Sequence, residues 1–129
     1  MQLRRGEDLA WIEGPEEWFA GEVRFGRHNE PSHETDLVVL GVSFDPGART
    51  HWHSHPEGQV LYVLEGKAFV KTEDGEHVEA GPGDTVYAPA GELHWHGAAP
   101  DSSMTHLSIT YGGATEWAGR EVTDEEYGG

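Results

Sequence analysis

The run His51-Trp52-His53-Ser54-His55 sets a histidine at every second position. Alternate residues of a β-strand face the same side, so an extended run of this kind can aim several imidazoles at one point. Imidazole is the commonest protein ligand for divalent transition metals. Farther along, His94-Trp95-His96 repeats the alternation. Two such clusters in one small chain make a metal site the leading expectation, and extended segments the expected means of building it.

The rest of the chain agrees with a β architecture. Eighteen glycines and seven prolines break the apolar residues into short runs bounded by turn signals,. The expected strands cover 21–27, 36–44, 51–55, 59–65, 66–73, 76–80, 85–88, 94–98 and 104–111. Asp45-Pro46-Gly47, Gly81-Pro82-Gly83 and Pro89-Ala90-Gly91 read as turns, and Asp74-Gly75 as a hairpin in which both residues tolerate positive φ,. No segment keeps a helical period; short helical turns are expected only near 14–20 and 123–127. With 129 residues and neither linker nor repeat, a single domain over 1–129 is expected,. Leu37-Val38-Val39-Leu40 and Val60-Leu61-Tyr62-Val63-Leu64 are apolar on both faces. That suits a barrel with a pocket inside and a second subunit outside, hence a homodimer.

Composition narrows the chemistry. There is no cysteine, so nitrogen and oxygen must hold any metal,. Twenty-four acidic residues against eight basic ones give a formal charge of −16, which repels phosphate backbones and anionic lipids,. A small-molecule substrate is expected, with no nucleic-acid or membrane partner. No apolar run approaches the roughly 18–20 residues of a membrane span. The opening residues lack the apolar core of a signal peptide, so a cytoplasmic location is expected.

Two ligand registers fit the first cluster: His51, His53 and Glu57, or His53, His55 and Gln59. A carboxylate binds a cation better than an amide does, which favours the first. Turn punctuation favours the second. Glu57 lies between Pro56 and Gly58, whereas Gln59 shares strand parity with Leu61 and Val63.

The spacing Gly47, five residues, His53-Ser54-His55, three residues, Gln59, six residues, Gly66 resembles the first motif of the cupins. Gly83, five residues, Pro89-Ala90-Gly91, two residues, His94 resembles the second. The motifs occupy about 47–66 and 83–98. The resemblance implies an all-β cupin double-stranded β-helix, a jelly-roll barrel, with one metal held inside by His53, His55, Gln59 and His94. Cupins usually carry Glu at the position of Gln59 and Asn at that of Ala98. Three imidazoles and an amide leave a divalent ion its full charge, which makes it a stronger electrophile.

A narrower resemblance rests on 44–50, 91–100, 104–109 and 121–125. These stretches are similar to small bacterial manganese cupins with hydroxynitrile-lyase activity, which also use Gln as the fourth ligand. Departures are Leu40 in place of a small residue, Thr110 in place of a longer polar one, and the added His51. The resemblance implies cleavage of cyanohydrins with the metal as Lewis acid, manganese first and then iron, nickel or zinc. Strand parity would let His106 and His96 handle the proton, and would make Leu40, Val42, Leu61, Tyr87 and Thr110 the pocket walls. Two other functions fit the same ligands: a metal-dependent dioxygenase, and a non-catalytic cupin that binds a small ligand.

Overall fold

The structure is a computed structural model describing residues 1–33, 36–112 and 114–128. After a short 3₁₀ turn at Gly6–Asp8 come β1 (Ile12–Glu13), β2 (Phe19–Ala20), β3 (Val23–Arg27) and β4 (Leu37–Phe44). The middle of the chain forms β5 (Arg49–Thr50), β6 (His53–Ser54), β7 (Gln59–Gly66), β8 (Ala68–Thr72) and β9 (His77–Ala80). The remainder is β10 (Thr85–Ala88), β11 (His94–Ala98), β12 (Met104–Tyr111), β13 (Glu116–Trp117) and α1 (Asp124–Gly128).

One antiparallel sheet runs β1-β3-β4-β12-β7-β10. The other runs β13-β6-β11-β5-β2, with β8 also on β11 and β9 on β8. Together they make the jelly-roll barrel expected from the sequence. Period-two burial sets the inside: Gln59, Leu61 and Val63 of β7 are buried while Tyr62 and Leu64 are exposed,. On β12, Met104, His106 and Ser108 face inward, opposite Phe44, Val42 and Leu40 of β4. Phe44, Met104, Val63, Val23 and several alanines pack one end of the interior. Histidines follow along the same rows, and the far end opens into a cavity.

A second cluster lies outside the sheet of β11, where Trp52, Trp95 and Val122 pack with Phe69, Leu93 and Tyr127. Helix α1 is seated there by a capping box: Thr123 Oγ1 accepts from Glu126 N–H at 3.0 Å, and Glu126 Oε1 accepts from Thr123 N–H at 2.9 Å,.

One expectation needs correction and two gain detail. The strand expected over 51–55 is split. The N–H of His51 donates to the Trp18 carbonyl and that of Trp52 to the Arg120 carbonyl, so loops rather than a ladder partner hold this backbone. Around 74–75 only Gly75 takes positive φ (97°), and Thr72 N–H closes onto the Glu76 carbonyl. The connection is therefore three residues long, with glycine in the left-handed position. Near 14–20 the expected helical turn is a single one, in which the Pro15 carbonyl accepts from the N–H groups of Trp18 at 3.0 Å and Phe19 at 3.1 Å, and β2 follows directly. At the end of β7, Gly66 (φ 82°) is required twice over, because a side chain there would overlap the Ser103 carbonyl,.

Candidate metal centre

Strand β6 lies against β11 with His53 directly opposite His94, which brings their rings to 4.5 Å between centroids. His55 follows β6 and stands 5.0 Å from His53 and 5.7 Å from His94. His96, two residues along β11, is 5.1 Å from His53. His53, His94 and His96 offer ring nitrogens all within 4.8 Å of one another. Such a group can hold a divalent metal ion. All four histidines are buried.

Backbone carbonyls decide which nitrogen carries the proton. Nδ1–H of His53 donates to the His51 carbonyl at 2.8 Å, and Nδ1–H of His94 to the Glu92 carbonyl at 2.9 Å. Both rings then turn an Nε2 lone pair to the interior, the arrangement that orients metal-binding imidazoles. Burial lowers the pKa of His53 well below the ordinary 6.5, helped by the neighbouring His94. Burial likewise lowers His94 and His96, and brings His55 to about 4. The cluster is therefore a set of neutral donors at pH 7.

Gln59, at the start of β7, completes it. Its Nε2 donates to Ser108 Oγ at 2.8 Å, which leaves Oε1 3.0 Å from His94 Nε2. Two lone pairs face each other at that distance, and a cation shared between them relieves the repulsion. His55 Nε2 and His96 Nε2 are also buried without a hydrogen-bond partner among the described residues. Nitrogen and oxygen donors with unmet lone pairs fit a divalent transition ion.

The alternative register fails on placement. Glu57 is exposed in the turn. His51 is buried but belongs to a separate hollow, where its Nε2 donates to the Glu16 carbonyl at 2.8 Å, 4.0 Å from the Glu121 carboxylate. Its contribution to the cluster is its backbone carbonyl.

A cavity of about 540 Å³ lies over these groups. His53, His55, Gln59, His96 and Ser108 form its polar floor, and Leu40 and Val42 part of its wall, as strand parity predicts. Other pocket assignments are corrected. Tyr87 is 65% exposed, because it pairs with outward-facing Val60, and directly opposed residues share a face,. Leu61 is buried between β10 and β12 and does not border the cavity, nor does half-buried Thr110. His106 is fully buried one layer behind the floor, its Nε2 3.2 Å from His96 Nδ1. It reaches the cavity only through His96.

Sequence reasoning missed most of the aromatic wall: Trp18, Phe19, Phe25 and Trp117. The rings of Trp18 and Trp117 stack at 5.5 Å and 2°, and Trp117 lies 4.9 Å from His53, its partner across β13 and β6. Trp117 sits on a two-residue strand and Trp18 in the turn before another, where there is no period to read, so no signal marked either. Ser108 had one, since it shares the face of His106.

The cupin domain family matches residues 40–110. The chain is 42% identical to an (R)-mandelonitrile lyase of Granulicella tundricola over 130 residues, covering 98% of each protein. Among solved structures, a cupin-like protein of Thermotoga maritima superposes with a TM-score of 0.84 at 40% identity, covering 89% of each chain. The polyketide cyclase RemF of Streptomyces resistomycificus, 20% identical, shares the fold with a TM-score of 0.73 over 98% of this chain and 90% of its own. Ligand spacing, barrel and full-length relative agree, and this chain belongs to the cupin family.

Proposed function

We propose that this protein is a metal-dependent lyase that cleaves cyanohydrins to an aldehyde or ketone and hydrogen cyanide. The observation that carries the reading is a wholly neutral donor set, with Gln59 among three histidines, beneath an apolar cavity. The full-length likeness to a mandelonitrile lyase supports the same reading. His53, His55, Gln59 and His94 would hold the ion, and His96 borders the same cavity. Bound there, a divalent ion supplies Lewis acidity toward a hydroxyl or carbonyl oxygen, undiminished by any ligand carboxylate. Manganese is the proposed ion, then iron; elemental analysis of protein from its native host tests the choice.

The chain's own residues account for the proton. For His96 Nε2 to accept it, His96 Nδ1–H must donate to His106 Nε2 across the 3.2 Å contact. The hydroxyl proton of the cyanohydrin passes to His96 Nε2. The bond to the nitrile carbon breaks, its electron pair leaves on cyanide, and the carbonyl double bond forms. His96 returns the proton to cyanide, which departs as hydrogen cyanide. His106 shares the transient charge on His96 through their hydrogen bond. The aromatic and aliphatic wall excludes water and receives the organic group. Manganese-loaded protein incubated with mandelonitrile should release benzaldehyde above a metal-free control; no release overturns the lyase reading. Oxygen consumption with catechol or diketone substrates would instead favour a dioxygenase.

The protein is also proposed to be a homodimer. Leu37, Tyr62, Leu64, Tyr87 and Tyr111 are exposed, all on the outer face of the β4-β12-β7-β10 sheet. An apolar sheet face of this kind marks an interaction surface. Light scattering coupled to gel filtration should give twice the 14.2 kDa chain mass.

A further inference from the structure

One cavity residue has no part in the lyase scheme. Arg27, the last residue of β3, borders the cavity although the rest of the wall is largely apolar. Strand parity puts it there: Val23 and Phe25 face inward, and Arg27 is the next residue on that side. Its place along the barrel follows from register. Arg27 pairs with Leu40, Leu40 with Ser108, and Ser108 with Leu61, so one row crosses β3, β4, β12 and β7. Ser108 accepts from the Gln59 amide. With neighbouring strands about 4.8 Å apart, the Arg27 backbone lies roughly 10 Å from that of Ser108. Arg27 is exposed and so borders the cavity at its mouth, with a side chain long enough to reach a small molecule seated over the donor cluster.

The charge environment makes this placement informative. The chain has only eight basic residues against 24 acidic ones. Arg4, Arg24, Arg49 and Arg120 each lie within 4.0 Å of a carboxylate. Among the described residues Arg5, Arg27, Lys67 and Lys71 do not, and of these Arg27 is the one that borders the cavity. The acidic surface repels anions in general, yet here a cation faces the same space as a neutral-donor cluster. Arginine is the side chain whose planar fork matches a carboxylate with two parallel hydrogen bonds.

We infer that Arg27 is a specificity-determining residue that receives a substrate carboxylate at the cavity mouth. The compounds this site takes are then hydroxy or carbonyl compounds with an acid group at the end away from the histidines. The aromatic wall covers the carbon skeleton between. This rests on the lyase reading for which end of the substrate meets the histidines.

The test is equilibrium binding rather than turnover. Isothermal titration of manganese-loaded protein with 4-formylbenzoate and with benzaldehyde measures the gain from a remote carboxylate. The gain expected is at least about tenfold in Kd, the scale of one charge-assisted hydrogen bond. Arg27→Ala and Arg27→Gln should each abolish the gain while leaving benzaldehyde affinity and the thermal midpoint unchanged. Equal affinity of the two aldehydes for the wild type overturns the inference. So does a gain that survives in both variants, which would place the carboxylate at the histidines. Failure of the lyase reading would show separately, as mandelonitrile left uncleaved while the Arg27-dependent preference persists.

Discussion

His94 Nε2 and Gln59 Oε1 stand 3.0 Å apart with the hydrogens that could join them committed elsewhere, to the Glu92 carbonyl and to Ser108 Oγ. The cluster is thus prepared for a cation by two hydrogen bonds whose acceptors, the Glu92 carbonyl and Ser108 Oγ, are not themselves proposed ligands. Removing the serine acceptor should release the amide, which can then turn its NH₂ onto His94 and close the site. Ser108→Ala should weaken manganese binding by about tenfold or more, the usual cost of losing an outer partner of a metal ligand. A chelator competition titration measures it; unchanged affinity would mean that Ser108 does not hold the amide.

Gln59→Glu should act in the opposite sense on binding. A carboxylate adds a negative charge to the donor set and should tighten manganese by on the order of tenfold. The same charge lowers the electrophilicity of the site, so kcat for mandelonitrile cleavage should fall as affinity rises. Parallel chelator titrations and initial rates check this; an activity that follows affinity upward would refute the importance of a neutral fourth ligand.

His96 and His106 should separate by magnitude. His96→Ala removes the group proposed to take the substrate proton, and kcat should fall by about 10² or more. His106→Phe leaves His96 in place without its charge-sharing partner and should cost less. Manganese affinity should change little in His106→Phe, since His106 lies behind the floor. Equal losses in the two variants would show that they act as one unit.

Acid should destabilise the metal-free protein well before its carboxylates titrate. His55 and His106 fall from 6.5 to about 4 in the folded chain, chiefly through burial. Between those values the unfolded chain binds protons that the folded chain refuses, so stability is full above pH 6.5 and declines as pH falls toward 4. Each group contributes on the order of 3 kcal/mol across that window, and His53, His94 and His96 shift in the same direction. Thermal midpoints of chelator-treated protein from pH 7.5 to 4.5 measure the decline; a flat profile would contradict neutral buried rings.

Gly66→Ala tests the fold rather than the chemistry. It combines a left-handed backbone (φ 82°) with overlap at Ser103. The expected loss is about 3 kcal/mol, from strain plus overpacking. Urea unfolding would show it as a lower midpoint with unchanged slope.

The barrel and the convergence of His53 with His94 were legible because both depend on local spacing. Turn punctuation favours Gln59 over Glu57, and the amide is buried while the carboxylate is exposed. Readings that failed depended on partners distant in sequence. His51 alternates with His53 and His55, yet the backbone at 51 and 52 is held by carbonyls of residues 18 and 120. Tyr87 faces outward because β10 meets β7 in a register that spacing across the 81–84 turn does not fix. His106 lies on the inward face as read, but the depth that separates a wall from a support is set by ring packing.

The aromatic stack over the cluster has an architectural consequence. Its two halves, Trp18 and Trp117, come from opposite ends of the chain, as do Phe25 and Arg27 from the early part, all outside the 40–110 core. The proposed metal ligands lie inside that core. Most of the aromatic wall and the proposed ligands therefore occupy separable stretches of polypeptide, with Leu40 and Val42 the part of the wall that lies inside the core. Exchanging residues 11–30 and 114–120 between relatives should change ligand preference while leaving the proposed metal ligands unaltered, so these flanks are the natural place to diversify the cavity.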